Sequence, residues 1–189
     1  LVEKGIRRFA ATSWSIKGAS GNLKVQGFIQ TLEERGFSAC IFESDKQIQL
    51  LDQVLKVEKN ETVGFFAAED FLGRMVIEAC EDRGLRVPED VAVIGVDNSP
   101  FICEMVKPSM TSVELGAERV GYQAAALLDS LMQGGVVPAE PVMVVPERIV
   151  ERRSTDIIEI QDELVAKALR FIRDHAVEPI TVADVNHAL

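Results

Sequence analysis

From Ile6 to Asp97, short apolar runs of strand length take turns with longer amphipathic runs of helical period, and this alternation constrains the fold more than any other feature. Residues 6–12 read as a strand, and residues 24–35 as a helix with Phe28 and Leu32 on one face, closed by Gly36. A strand at 38–42 follows, then a helix at 47–57 that repeats Ile48, Leu51, Val54 and Leu55 at helical spacing, then a β-branched and aromatic strand at 62–67. A helix over 71–83 is stopped by Gly84, and Pro88 keeps the next stretch extended. The run VAVIGV at 91–96 is continuously apolar, as a strand buried on both faces must be. Strands separated by single helices need crossover connections, so the predicted fold class is α/β, a parallel sheet flanked by helices.

Beyond Asp97 the pattern changes. Residues 108–113 form a short extended stretch. Residues 114–133 form a long helix carrying Val120, Ala124, Leu127, Leu128 and Leu131, which Gly134 and Gly135 end. Residues 142–150 can make a last strand, bent or at an edge because of Pro146. The polar stretch ERRSTD at 151–156 marks a second boundary. After it come an amphipathic helix at 162–175 and a shorter one opened by Pro179, Ile180 and Thr181. The sequence therefore predicts an α/β unit over 1–156 and a short all-α segment over 157–189. That segment runs out inside an apolar pattern and is expected to be truncated.

With 47% hydrophobic residues among 189, the chain carries enough apolar material for one ordinary core. No apolar run approaches the roughly 20 residues that cross a bilayer, so no membrane partner is expected. The start, LVEKGIRRFA, lacks the zones of a signal peptide, which points to a cytoplasmic protein. A net charge of −10 repels a phosphate backbone, so any DNA contact must be made elsewhere. Cys40, Cys80 and Cys103 stand far apart, each within or beside an apolar run, and are expected to be buried reduced thiols.

Ligands of open parallel sheets bind at the carboxyl ends of the strands, so the polar residues just past each strand matter most. Two such places stand out: Ala67-Ala68-Glu69-Asp70 and Gly95-Val96-Asp97-Asn98. Carboxylates and amides at adjacent strand ends can bond the neighbouring hydroxyls of a polyol. The same residues also have ordinary roles open to them. Asp70 can cap the following helix, and Asp97 and Asn98 can form a turn. Trp14 can stack on a sugar face or simply pack, and Lys24 can serve a cleft or lie in solvent.

Catalytic signatures do not assemble. GxGxxG, GxxxxGK[ST] and GxSxG are missing, and Gly18 with Gly21 reads as a flexible turn. His175 and His187 lie on the C-terminal helical patterns, away from any nucleophile or metal cluster. A carboxylate hydrolase built on Glu69, Asp70 and Asp97 would need a separation that sequence does not give. No catalytic residue, metal or cofactor is therefore expected.

The stretch from Val63 to Val113, with GFFAAED, RGLRVPEDVAVIGVDN and PSMTSVE in that order, resembles the second lobe of the effector-binding domain of the lactose-repressor (LacI/GalR) family. ERVGYQAAALLDSLMQGG and VVPERIVERRSTD are similar to the closing portion of the xylose operon regulators, where the sensor runs into an AraC-type DNA-binding domain. QDELVAKALRFIRDHAVEPITVADVNHAL is similar to the beginning of that domain. Together these motifs cover nearly the whole chain.

The resemblance implies a periplasmic-binding-protein-like sensor of two lobes that takes D-xylose in the cleft between them. Lobe closure would then alter how a helix-turn-helix domain meets operator DNA, in a homodimeric transcription regulator that is not an enzyme. By it, residues 1–156 are the effector-binding domain, mainly its C-terminal lobe with part of the N-terminal lobe's closing helix and strand. Residues 157–189 are the start of the AraC-type domain, short of its recognition helix. Asp97 matches the family's sugar-binding aspartate, with Asn98 beside it, and Glu69 and Asp70 fall where relatives carry polar effector contacts. Lys24, three residues before Gly27-Phe28, stands where many relatives place a sugar-binding arginine, a departure that loses a bidentate fork. The segment from Ser44 to Thr62 receives no role. A solute-binding component of a sugar transporter is the alternative; it would share the sheet and the crevice but not the C-terminal helices.

Overall fold

The apolar runs of the first half become a sheet. In the computed structural model, which describes residues 1–14, 19–43, 61–157 and 163–189, six strands line up in the order β2-β1-β3-β4-β5-β6. They are β1 (Arg8–Ser13), β2 (Ala39–Glu43), β3 (Val63–Ala67), β4 (Val91–Val96), β5 (Thr111–Glu114) and β6 (Arg148–Val150). The first five run parallel and β6 is antiparallel to β5. The helices described are α1 (Ala19–Glu34), α2 (Asp70–Glu81), α3 (Pro100–Met105), α4 (Ala117–Met132), α5 (Glu163–Asp174) and α6 (Val182–Ala188). The chain divides into two compact units, Leu1–Asp156 and Ile157–Leu189.

The alternation of side chains along each strand sorts the core onto two faces. On one face Ala10, Val63, Phe65, Val91 and Val93 pack with Val76, Ile77 and Cys80 of α2 and Cys103 of α3. On the other, Ala11, Phe66 and Val96 pack with Val25, Phe28 and Ile29 of α1. β3 is buried along its whole length because it lies between two neighbours and under helices on both sides. This is the α/β arrangement that the alternation predicts, and the parallel strands all point their carboxyl ends at one edge of the unit.

Several local expectations are corrected. Helix α1 begins at Ala19, before Lys24, so Gly21 is helical rather than part of a turn. Gly18 and the helix predicted at 47–57 lie outside the described residues. The long helix starts at Ala117 rather than at Glu114, because Glu114 still pairs with Arg148 in the sheet and Gly116, at φ +69°, turns the chain out of it. The strand predicted over 142–150 shrinks to β6, since Pro146 has no N–H to offer a ladder. Helix α3 is unforeseen: Ser99-Pro100 opens it, but six residues are too few to show a period. Cys80 and Cys103 are buried and burial pushes their thiols up to about 12, whereas Cys40, on β2 at the end of the strand order, is exposed.

The apolar stripe of α4 is not buried by the described residues of its unit. None of its side chains is buried, and Val120, Tyr122, Leu128 and Met132 stand in the open. In the second unit, α6 starts with a reciprocal cap: the Asp184 N–H bonds Thr181 Oγ1 at 3.4 Å, and the Thr181 N–H bonds Asp184 Oδ2 at 2.8 Å.

Candidate functional site

Trp14 follows the tip of β1, Ala68 and Glu69 follow β3, and Asp97 follows β4. Lys24 reaches these tips from α1. Its ammonium donates to the Ala68 carbonyl at 2.9 Å and pairs with Asp97 Oδ1 at 3.3 Å. The Asp97 side chain is 47% exposed, so its carboxylate is reached by solvent while one oxygen is held. Trp14 is not part of this pair. It stacks on Phe71 of α2 with ring centroids 5.7 Å apart, and the Arg74 guanidinium lies over the Phe71 ring. Glu69 occupies the N-cap of α2, half-buried, without a side-chain capping bond.

Asp70 is placed differently from the expectation that it meets a ligand. It is 2% exposed. Its Oδ1 accepts from Ser112 Oγ at 2.5 Å, and its Oδ2 accepts from the Ser99 N–H at 2.6 Å and from Cys103 Sγ at 3.3 Å. It does not cap α2 either, since it is the first residue of that helix. Gly95 of β4 makes room for it: a Cβ there would collide with Asp70 Oδ1. Burial raises the Asp70 carboxyl above its usual value, opposed by the bonds from Ser112, Ser99 and Cys103 and reinforced by the charge of Asp97. The carboxylate is therefore a strut beneath the strand tips.

Asn98 is likewise committed within the chain. Its N–H bonds Ser112 Oγ at 3.0 Å, its amide nitrogen donates to Glu114 Oε1 at 3.2 Å, and its amide oxygen accepts from Arg152 Nη2 at 2.9 Å. Glu114 also takes the Arg148 guanidinium at 2.7 Å, and that bond, ahead of the one from Asn98, lowers its carboxyl. These bonds matter because Asp97 and Asn98 both carry positive φ, +107° and +51°, although neither is glycine. Such residues cost about 1–3 kcal/mol each and persist only where the surroundings impose them.

Sequence reading missed Ser112, Glu114, Phe71 and Arg152. It read ERRSTD as a polar boundary, yet Ser154 and Thr155 are 0% and 3% exposed. Ser154 Oγ donates to the Val93 carbonyl at 2.6 Å and accepts the Thr111 N–H at 2.9 Å, so the segment is pinned to the sheet. A hollow of about 370 Å³ lies elsewhere, against Phe28, Leu32, Phe66, Ile94, Val113 and Ile149. Its lining is largely apolar and includes none of the six residues singled out from sequence, so it does not suit a hydroxylated ligand.

An ammonium and a half-exposed carboxylate side by side at the tips of parallel strands, with a stacked and partly exposed aromatic pair past the tip of β1, can accept and donate hydrogen bonds. A model of the periplasmic binding protein-like domain matches residues 1–155. The chain belongs to this family. Within it, the chain is 31% identical to the xylose operon regulatory protein of Escherichia coli (strain K12), an alignment that covers all of this chain and 50% of that protein. It superposes on a xylose-binding transcription activator with a TM-score of 0.79 and 29% identity, over 99% of this chain and 52% of that one. A periplasmic binding protein/LacI transcriptional regulator from Alkaliphilus metalliredigens, complexed with D-xylulofuranose, matches with a TM-score of 0.68 and 27% identity, over 82% of this chain and 59% of that one. The chain spans about half the length of the curated relatives it matches. Among the described residues, no helix is long and apolar enough to cross a membrane.

Proposed function

We propose that this chain is the sugar-sensing portion of a cytoplasmic transcription regulator and that the crevice at its strand tips takes D-xylose. The observation that carries the reading is the half-exposed Asp97 carboxylate, held at the tip of β4 by Lys24. A carboxylate can accept from two adjacent hydroxyls, and the ammonium beside it donates to a third oxygen. Trp14, stacked on Phe71, offers an apolar face to the C–H side of a sugar ring, and Glu69 supplies a further acceptor. In this reading Asp70 and Asn98 support Asp97 from beneath. The choice of D-xylose rests on the relatives, whose names are those of xylose regulators.

The domain assignment belongs to the same proposal. Residues 1–156 are mainly the C-terminal lobe of an effector-binding domain. The uncovered apolar stripe of α4 suits a closing helix of the N-terminal lobe, and residues 157–189 suit the start of an AraC-type helix-turn-helix domain that meets operator DNA, in a homodimer. A sugar bridging two lobes favours the closed state by its differential affinity, and this closure is the signal. The test is calorimetry of the complete regulator with D-xylose. Asp97→Ala leaves buried hydroxyls unpaired and is expected to weaken binding at least tenfold, in line with a loss of about 1–3 kcal/mol. Unchanged affinity would reject the assignment.

A further inference from the structure

The Asp97-Asn98 turn has two consecutive residues at positive φ and no glycine, so something outside the turn must hold it. Three polar atoms of Asn98 are bonded, and the partner of its amide oxygen is Arg152. Arg152 is itself a fixed bracket. Nη1 donates to the Met110 carbonyl at 3.0 Å while Nη2 holds Asn98, so the two arms of one guanidinium span from the start of β5 to the tip of β4. Its backbone N–H bonds Thr111 Oγ1 at 2.8 Å, and its carbonyl accepts from the same hydroxyl at 3.0 Å. Two residues further on, the fully buried Ser154 ties the segment to Val93 of β4 and to the Thr111 N–H. The bracket therefore stands on the two strands whose ends it joins.

The geometry points to Arg152 as a positioning residue for ligand binding: acting through Asn98, it fixes the backbone that presents Asp97 to the sugar. This inference rests on the sugar-binding reading of Asp97. Only a planar fork reaches both acceptors at once; a lysine ammonium is a single point charge on a flexible stem. Polar residues between the sheet and the end of the first unit thus have a task beyond ending a domain.

The experiment is calorimetry of the complete regulator with D-xylose, for Asp97→Ala, Arg152→Met, Arg152→Lys, Asn98→Ala and the Asp97→Ala/Arg152→Met pair. Arg152→Met is expected to weaken binding about tenfold and Arg152→Lys to recover part of that loss. Once Asp97 is gone there is nothing left to position, so Arg152→Met in the Asp97→Ala background should change affinity by less than about twofold. A merely structural arginine would lower the melting temperature and leave the affinity of the folded protein alone. Wild-type affinity in Arg152→Met, or penalties that multiply in the double variant, would overturn the inference while leaving the sugar site standing. Unchanged affinity in Asp97→Ala would overturn both. Should Arg152→Met fail to fold, Asn98→Ala carries the test: alanine keeps the backbone N–H but removes the arginine's acceptor without glycine's freedom at positive φ, and wild-type binding there would refute the role.

Discussion

Ser112→Ala removes one oxygen from the interior and little else, which makes its cost a direct reading of the strut beneath the strand tips. Ser112 is 0% exposed, and its hydroxyl donates to Asp70 Oδ1 at 2.5 Å while accepting the Asn98 N–H at 3.0 Å. Losing a bond to a charged acceptor costs about 1.5–3 kcal/mol, and leaving a half-buried amide unpaired adds about 1 kcal/mol. The expected destabilisation is about 3 kcal/mol, or about 150-fold in the folding equilibrium. For a domain of this size that lowers the melting temperature by about 6–12 °C. Urea unfolding followed by fluorescence suits the assay, because Trp14, the one tryptophan, sits just past β1 and reports on the first unit. The same substitution in an Asp70→Asn background should cost less, since an amide makes a weaker acceptor than a carboxylate. A Ser112→Ala midpoint within about 0.5 kcal/mol of wild type would refute the idea that this network bears on the fold.

Two further outcomes follow from the same corner. Gly95→Ala should destabilise by about 1–3 kcal/mol or more in urea unfolding, because the added Cβ meets Asp70 Oδ1 and lies 3.1 Å from Met110 Cε and 3.3 Å from Asp70 Cα; a neutral substitution would show that Asp70 moves freely. Asp70 also sets a pH dependence. Its folded carboxyl is raised above the ordinary 3.8, so the stability linked to its protonation is fully present below 3.8 and is lost as pH rises through the folded value. The stability of wild type relative to Asp70→Asn should therefore fall from acid toward neutral pH, as measured by urea midpoints, and a gap that widens over that interval would contradict the burial argument.

The sheet was legible because burial on both faces leaves a continuous apolar run, and VGFFA and VAVIGV become the strands β3 and β4. Positions at strand tips were legible for the same reason: once the strands are placed, Asp97 and Glu69 can only follow them. What each polar residue does there was less legible. Asp70 and Asp97 are both acidic residues just past or near a strand end, yet one is 2% exposed and the other faces outward. The difference is made by Ser99, Cys103 and Ser112, which come from later in the chain. Likewise ERRSTD carries the composition of a linker, and only its partners on β4 and β5 reveal a pinned segment. Long-range hydrogen bonds leave no period in a sequence. The apolar stripe of α4 was read correctly as a stripe, but its exposure shows that a stripe does not name what covers it.

The central claim, that the Asp97 carboxylate at the tip of β4 receives the hydroxyls of a sugar, is tested most directly by a crystal structure of the complete regulator soaked with D-xylose. The account predicts sugar density against Asp97, Lys24 and Trp14, with both Asp97 oxygens within hydrogen-bonding distance of neighbouring hydroxyls and Asn98 still held by Arg152. Sugar bound away from these strand tips, with Asp97 bonded only to Lys24, would contradict it.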